Sequence, residues 1–150
     1  MITLYEITDL PTLMMWREEV IRHVFGRRPD ANLLEANRRY YERHIADHTH
    51  RAVEAFFNGK ECGCGGVCLT EELPSPDNGS GRCAYLMNIY VREEYRNRGI
   101  AHHIVRRLVE MAREAGCGKI YLETTEEGRH VYASSGFTDM KDLMKYEPKD

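Results

Sequence analysis

The stretch YLMNIYVREEYRNRGIAHHIVRRL, from Tyr85 to Leu108, decides the fold. Its opening residues are apolar and β-prone, and with Cys83 and Ala84 before them they predict a strand, Cys83 to Val91, central to a sheet. A short loop follows that carries Arg92, Arg96, Arg98 and Gly99. From Gly99 to Ala115 apolar residues recur at i+4 steps (Ile100, Ile104, Leu108, Ala112), the mark of an amphipathic helix that ends at Gly116. Such a unit presents a helix N-terminus with unpaired N–H groups and the positive end of the helix dipole. A glycine there lets an anion approach the backbone, and arginines supply charge-assisted bonds. The pattern points to a phosphate or pyrophosphate site without naming its owner. The same residues also read as solvated arginines beside a glycine that starts a helix, and backbone physics alone does not choose between the two.

Upstream, Ile2 to Ile7 alternate as a short strand. Asp9 can cap a helix with Pro11 in its first turn, and Leu10, Leu13, Met14, Val20, Ile21 and Val24 keep helical spacing until Gly26. Gly26 to Asp30 turns the chain. Asp30 or Asn32 opens a second helix, with Leu33, Tyr40, Tyr41 and Ile45 on one side. Arg51 to Phe57 and Glu61 to Thr70 read as strands joined at Asn58-Gly59, a strong hairpin signal. Leu73 to Gly81, rich in Pro, Ser and Gly, is expected to be an exposed, mobile loop. Downstream, Ile120 to Thr124 predicts a strand, Glu126 to Ser135 a short helix, and Phe137 to Tyr146 a closing strand or hairpin. The order β-α-α-β-β-β-α-β-α-β describes one mixed α/β (α+β) domain over residues 1–150.

Composition narrows the classes of function. Apolar residues make up 42% and charged residues 30%, which argues for a soluble chain and against disorder. A net charge of -3 offers no basic surplus for a nucleic-acid partner, and the local cluster Arg92, Arg96, Arg98 suits a small anion better than a polymer. No run approaches the roughly 18 apolar residues of a spanning helix, so no membrane partner is expected. The first residues lack the basic region of a signal peptide. Five cysteines, an odd number, then read as reduced thiols in a cytoplasmic protein. Cys62, Cys64 and Cys68 lack zinc-knuckle spacing; on a strand they share one face with Gly66 as a small-residue packing surface, so no metal is expected. His48 and His50 read as a polar helix end.

Two segments carry a resemblance. Arg96-Asn-Arg-Gly99-Ile-Ala101 resembles the Arg/Gln-x-x-Gly-x-Gly/Ala loop of the GCN5-related N-acetyltransferases, the GNAT superfamily, and Asn88 to Arg92 is similar to the end of that family's fourth strand. Farther on, Glu127 to Phe137 (EGRHVYASSGF) resembles the family's Leu-Tyr-x-x-x-Gly-Phe signature. The resemblance implies a GNAT-like fold: a mixed, mostly antiparallel sheet with splayed parallel central strands and helices on both faces.

It also implies acetyl-CoA as co-substrate. The pyrophosphate would lie against the N–H groups of Arg98, Gly99, Ile100, Ala101 and His102, with Arg96 and Asn97 of the same loop beside it. The pantetheine arm would pair with the backbone of Ile89, Tyr90 and Val91. Ile89 N–H would stabilise the oxyanion formed at the thioester carbonyl. Tyr132 would protonate the departing thiolate; a thiol near about 8.5 and a phenol near about 10 are close enough to share a proton. Tyr132 also reads as a core tyrosine packing the last helix on the sheet. Thr125 stands where the family often has a pantetheine-bonding Asn, and its hydroxyl can make one such bond. The strand Cys83 to Val91 holds no carboxylate, so Glu123 on the neighbouring strand, facing away from Ile120 and Leu122, is the first candidate base. A carboxylate that only orients the substrate is the alternative, and Glu93 and Glu94 lie at the loop. His102 either adds charge beside the phosphate or is an exposed helical histidine.

For the acceptor, Trp16, Glu18, Glu19, Arg22, Arg27, Arg28, Tyr40 and Tyr41 offer a polar and aromatic wall. Its acids suit a cationic amine and its arginines a carboxylate. The expected activity is direct acetyl transfer to a primary amine of a small molecule or peptide in a ternary complex; the alternative is a non-catalytic module that senses acyl-CoA. Dimerisation through a sheet edge is common in the family, which leaves a homodimer open.

Overall fold

A computed structural model describes residues 1–149. Five strands form one sheet in the order β1 (Ile2–Ile7), β2 (His50–Phe57), β3 (Lys60–Glu71), β4 (Arg82–Val91) and β5 (Lys119–Leu122). The first four are antiparallel neighbours, and β5 runs parallel to β4. Two helices, α1 (Leu10–Val24) and α2 (Ala31–Ala46), connect β1 to β2. The helix α3 (Ile100–Glu114) crosses from β4 to β5, as a parallel pair requires. The expected helix after β5 divides into a 3-10 turn at Glu126–Gly128 and a short α4 (Arg129–Ser134).

Local chemistry sets most boundaries. Asp9 Oδ2 accepts from Thr12 N (3.0 Å) at the start of α1, and Asp30 Oδ1 accepts from Leu33 N (2.8 Å) at the start of α2. At the β2–β3 hairpin Asn58 (φ 49°) and Gly59 (φ 83°) are both left-handed, the conformation a two-residue turn needs.

The two faces of the sheet are covered by different helices. Ile100, Ile104, Val105, Leu108 and Met111 of α3 pack with Val53, Ala55, Val67, Ala84, Leu86 and Val91 on one face. Leu13, Trp16 and Val20 of α1 and Tyr41 of α2 pack with Ile7, Ala52, Cys64 and Tyr90 on the other. The helix α3 lies close because β3 has glycine beneath it. A Cβ on Gly65 would stand 2.5 Å from Ile104 Cγ2 and 3.0 Å from Leu108 Cδ1.

Two bulges interrupt the alternation of side chains. Between Ala55 and Phe56 of β2 the partner shifts from Gly63 to Glu61, which leaves Cys62 as an extra residue on β3. Cys62 therefore enters the α3 core while Cys64 enters the α1 core, so the three cysteines do not share a face. Between Cys64 and Gly66 the partners are Tyr90 and Met87, which puts an extra residue on β4 at Asn88–Ile89, where Asn88 has φ 57°.

Three expectations are corrected. No strand forms from Phe137 to Tyr146, so the parallel pair lies at the edge of the described sheet instead of its centre. Its apolar residues lack a period of two, Lys141 and Asp142 interrupt them, and Met144 and Tyr146 are exposed. The loop Leu73 to Gly81 is exposed over most of its length, as expected, but it is anchored: Ser75 and Asn78 bridge, Asn78 is buried, and Ser80 Oγ donates to Gly116 O (3.1 Å). His50 is a buried residue of β2 and no part of a helix end. Among the described residues no helix is long and apolar enough to cross a membrane.

Candidate active site

The β4–β5 ladder ends at Leu86 and Leu122, while β4 continues to Val91. From Met87 onward the strand has no partner on that side, and the parallel pair opens. Arg92 N donates to Cys62 O (2.8 Å) across the β3 side. By alternation, the N–H groups of Ile89 and Val91 turn toward the open side, and that of Tyr90 turns toward β3. The bulge at Asn88 allows this, because it re-aims the end of the strand after the ladder with β5 has finished. Val91 O accepts from Arg96 Nε (3.0 Å).

A 3-10 turn at Glu93–Tyr95 leads away from β4, with Glu93 and Glu94 exposed. Left-handed Asn97 (φ 65°) and Gly99 (φ 79°) then swing the chain into α3. The first backbone bond of α3 runs from His103 N to Gly99 O (3.2 Å), and no side chain caps the helix. The N–H groups of Ile100, Ala101 and His102 are therefore free to bind an anion. A Cβ on Gly99 would meet nothing within 4 Å, so the backbone there is open to approach.

The arginines divide. Arg96 and Arg98 are exposed at the loop, with the Arg98 guanidinium 5.0 Å from the Phe57 ring centroid. Arg92 leaves the anion set: it forms a two-pronged pair with Glu19 (2.9 and 2.9 Å) and lies 4.6 Å over the Trp16 ring. His102 is not exposed; its Nδ1 shares a 3.0 Å hydrogen bond with Ser135 Oγ and ties α3 to the end of α4.

Glu123 and Tyr132 line one cavity of about 560 Å³ beside β5, together with Tyr121, Thr124, Phe137 and Leu143. Ile89 and the Arg96–Ala101 loop are not among its lining residues. Tyr132 packs edge-on against Phe137 (6.1 Å) at the margin of the α3 core, and burial raises its phenol above the ordinary value. Glu123 is exposed and accepts from Tyr85 Oη (2.9 Å). Burial and that carboxylate push the Tyr85 phenol up to about 12. Thr125 is exposed; its carbonyl accepts from Gly128 N (3.2 Å), and its hydroxyl makes no hydrogen bond among the described residues.

The expected acceptor wall is largely absorbed by structure. Trp16 and Tyr41 are 1% and 4% exposed. Glu19 pairs with Arg92, Glu18 pairs with Arg22 in solvent (3.6 Å), and Tyr40 Oη shares a hydrogen bond with His50 Nδ1 (2.7 Å). Arg27 and Arg28 are exposed beyond α1. A residue outside that list holds the centre of this face. Arg17 donates from Nε to Asn37 Oδ1 (2.8 Å) and from Nη1 to Asn88 Oδ1 (2.8 Å). Its signal in the sequence is its place in the apolar stripe of α1, between Leu13, Trp16 and Val20, where a charge is unusual.

Among the described residues no group of three or more His, Cys, Asp or Glu could hold a metal ion. The model of the acetyltransferase (GNAT) family matches residues 12–137. Glucosamine 6-phosphate N-acetyltransferase 1 of Oryza sativa subsp. japonica is 32% identical over 94 residues, 63% of this chain and 55% of that protein. The probable glucosamine 6-phosphate N-acetyltransferase 2 of the same plant is 43% identical over 61 residues, 41% of this chain and 37% of that protein. The chain thus spans about a third to a half of the length of these relatives. The crystal structure of a predicted acetyltransferase with acetyl-CoA from Clostridium acetobutylicum superposes with a TM-score of 0.86 at 25% identity, covering 98% of this chain and 96% of that one. With its sheet opening after Leu86 and its anion-ready turn at Gly99, the chain belongs to the GNAT family of acetyltransferases.

Proposed function

We propose that this chain is an acetyl-CoA-dependent N-acetyltransferase that moves the acetyl group directly onto a primary amine of a small molecule or peptide in a ternary complex. One observation carries the reading: the unpaired edge of β4, Met87 to Val91, is followed, through the Arg92–Gly99 loop, by the uncapped N-terminus of α3. A ligand that is strand-like at one end and doubly anionic at the other fits that continuity. The names of the rice relatives supply the reaction type, and the acceptor is left open.

Acetyl-CoA would supply a thioester whose acyl carbon an amine can attack and whose thiolate can leave. The chain's residues then have separate tasks. The N–H groups from Arg98 to His102, with Arg96 and Asn97, hold pyrophosphate. The backbone of Ile89 and Val91, with Tyr90 between them, pairs with the pantetheine amides, and Thr125 can add one hydroxyl bond. Ile89 N–H donates where negative charge develops on the carbonyl oxygen. Tyr132 supplies a proton to the leaving sulfur, and its raised phenol keeps that proton through the physiological range. Glu123 is in solvent contact beside Tyr85, placed to orient an ammonium group or take its proton.

Thiol release from acetyl-CoA across a panel of amines tests this. Turnover is expected with at least one amine, and Tyr132→Phe should lower kcat by about 100-fold while coenzyme affinity changes by less than about threefold. Equal turnover in the variant removes Tyr132 from its role. Acetyl-CoA binding without thiol release across the panel would replace the enzyme with a sensing module.

A further inference from the structure

Four arginines among the described residues are half-buried: Arg17, Arg51, Arg92 and Arg107. Three of them have carboxylate partners. Arg51 pairs with Glu6 (2.7 Å), Arg92 with Glu19 (2.9 Å), and Arg107 with Glu110 and Glu114 (both 3.3 Å). Arg17 has none within 4 Å. Two amide oxygens hold it instead, Asn37 Oδ1 from α2 and Asn88 Oδ1 from the β4 bulge, each at 2.8 Å, and its guanidinium stands 5.7 Å from the Phe25 ring centroid; none of the three is an anion. An aspartate at either position would cancel the charge; asparagine fixes the guanidinium and leaves its charge uncompensated. A partly desolvated, unpaired charge costs stability, so its retention calls for a counter-charge from elsewhere. Nε and one Nη1 hydrogen are used, and the remaining donors of the fork face no protein acceptor among the described residues.

The position is as telling as the charge. Asn88, which Arg17 grips, directly precedes Ile89, the residue whose N–H faces the opening between β4 and β5. Tyr85 and Tyr121 turn away from the α3 core, as their neighbours Ala84, Leu86, Ile120 and Leu122 pack into it. The Glu123 carboxylate bonded to Tyr85 therefore belongs to the same face of the sheet as Arg17. The face carries a fixed cation on one side of the opening and a carboxylate on the other.

We propose that Arg17 anchors an anionic group of the acceptor, so that the substrate class is a small molecule carrying both a primary amine and a carboxylate or phosphate. This rests on the acetyl-transfer reading above. The anion docks bidentately on Arg17 next to Asn88, and the ammonium end turns toward Glu123 beside Tyr85.

Matched probes test it on the full chain with acetyl-CoA present: L-lysine against 1,5-diaminopentane for the carboxylate, and O-phosphoethanolamine against ethanolamine for the phosphate. Selectivity is read both as kcat/KM for thiol release and as calorimetric binding to the coenzyme complex. The anionic member of at least one pair should be favoured by about tenfold to 100-fold, mostly through KM, the range of a charge-assisted pair. The favoured pair identifies the anion. Arg17→Gln should reduce that ratio to below about threefold. Asn37→Asp, which supplies an internal carboxylate and leaves Arg17 in place, should do the same if Arg17→Gln folds poorly. No preference in either pair, or a preference that survives both variants, overturns the proposal. Absence of acetyl-CoA binding would instead overturn the acetyl-transfer reading, and coenzyme affinity is measured separately for that reason.

Discussion

His50 is 2% exposed, holds Tyr40 through Nδ1 and leaves Nε2 without a partner, in space that exists because Gly66 has no side chain. Burial pushes its imidazole down to about 4. The unfolded chain takes up this proton near about 6.5, so between those values the unfolded state binds more protons. The contribution is fully present above about 6.5 and is lost as pH falls toward 4, at up to ~1.4 kcal/mol per pH unit. Denaturant unfolding at pH 7 and pH 5 should show wild type losing ~2 kcal/mol more than His50→Asn, which keeps an acceptor for Tyr40 and cannot titrate. Equal losses in the two proteins would contradict it. At this scale the sequence was least informative. Arg92 lies 73 residues from Glu19 and Arg17 lies 71 from Asn88, and no local pattern announces such partners. Gly99 was legible because its left-handed turn is a local demand.

Among the elements, α3 was the most legible, since every i+4 apolar residue the spacing marked is buried. The capped starts of α1 and α2 and the Asn58-Gly59 hairpin were legible for the same reason: their chemistry lies within a few residues. Bulges at Cys62 and Asn88 were not, because an extra residue exists only relative to the strand opposite. The closing strand expected over Phe137 to Tyr146 does not form, because the apolar residues of that segment lack the alternation a half-buried strand needs. Close packing of α3 on β3 makes a further prediction. Gly65→Ala places a methyl 2.5 Å from Ile104 Cγ2, so α3 must lift. The expected cost is ~2 kcal/mol, seen as a fall in Tm of about 4–8 °C for a chain of this size. Weaker acetyl-CoA binding should accompany it, since α3 carries the Gly99 turn. An unchanged Tm would show that α3 does not rest on Gly65 as described.

For the molecule as a whole, one antiparallel sheet ending in a parallel pair that opens after Leu86 joins the two halves of the proposed site. The proposed coenzyme side rests on two motifs that can be read in the sequence. The acceptor side was not readable, because α1, α2 and β4 meet there only in the folded chain. The central claim is that the turn from β4 into α3 binds acetyl-CoA. Gly99→Glu tests it cleanly. A side chain at φ 79° adds strain of ~1–2 kcal/mol, the site has room for it, and a carboxylate favours a helix N-terminus. The variant should fold while its own anion occupies the phosphate position. Calorimetric titration of acetyl-CoA should give one site per chain in wild type and at least about 100-fold weaker binding in Gly99→Glu. No binding by wild type, or equal affinity in the two proteins, would contradict the account.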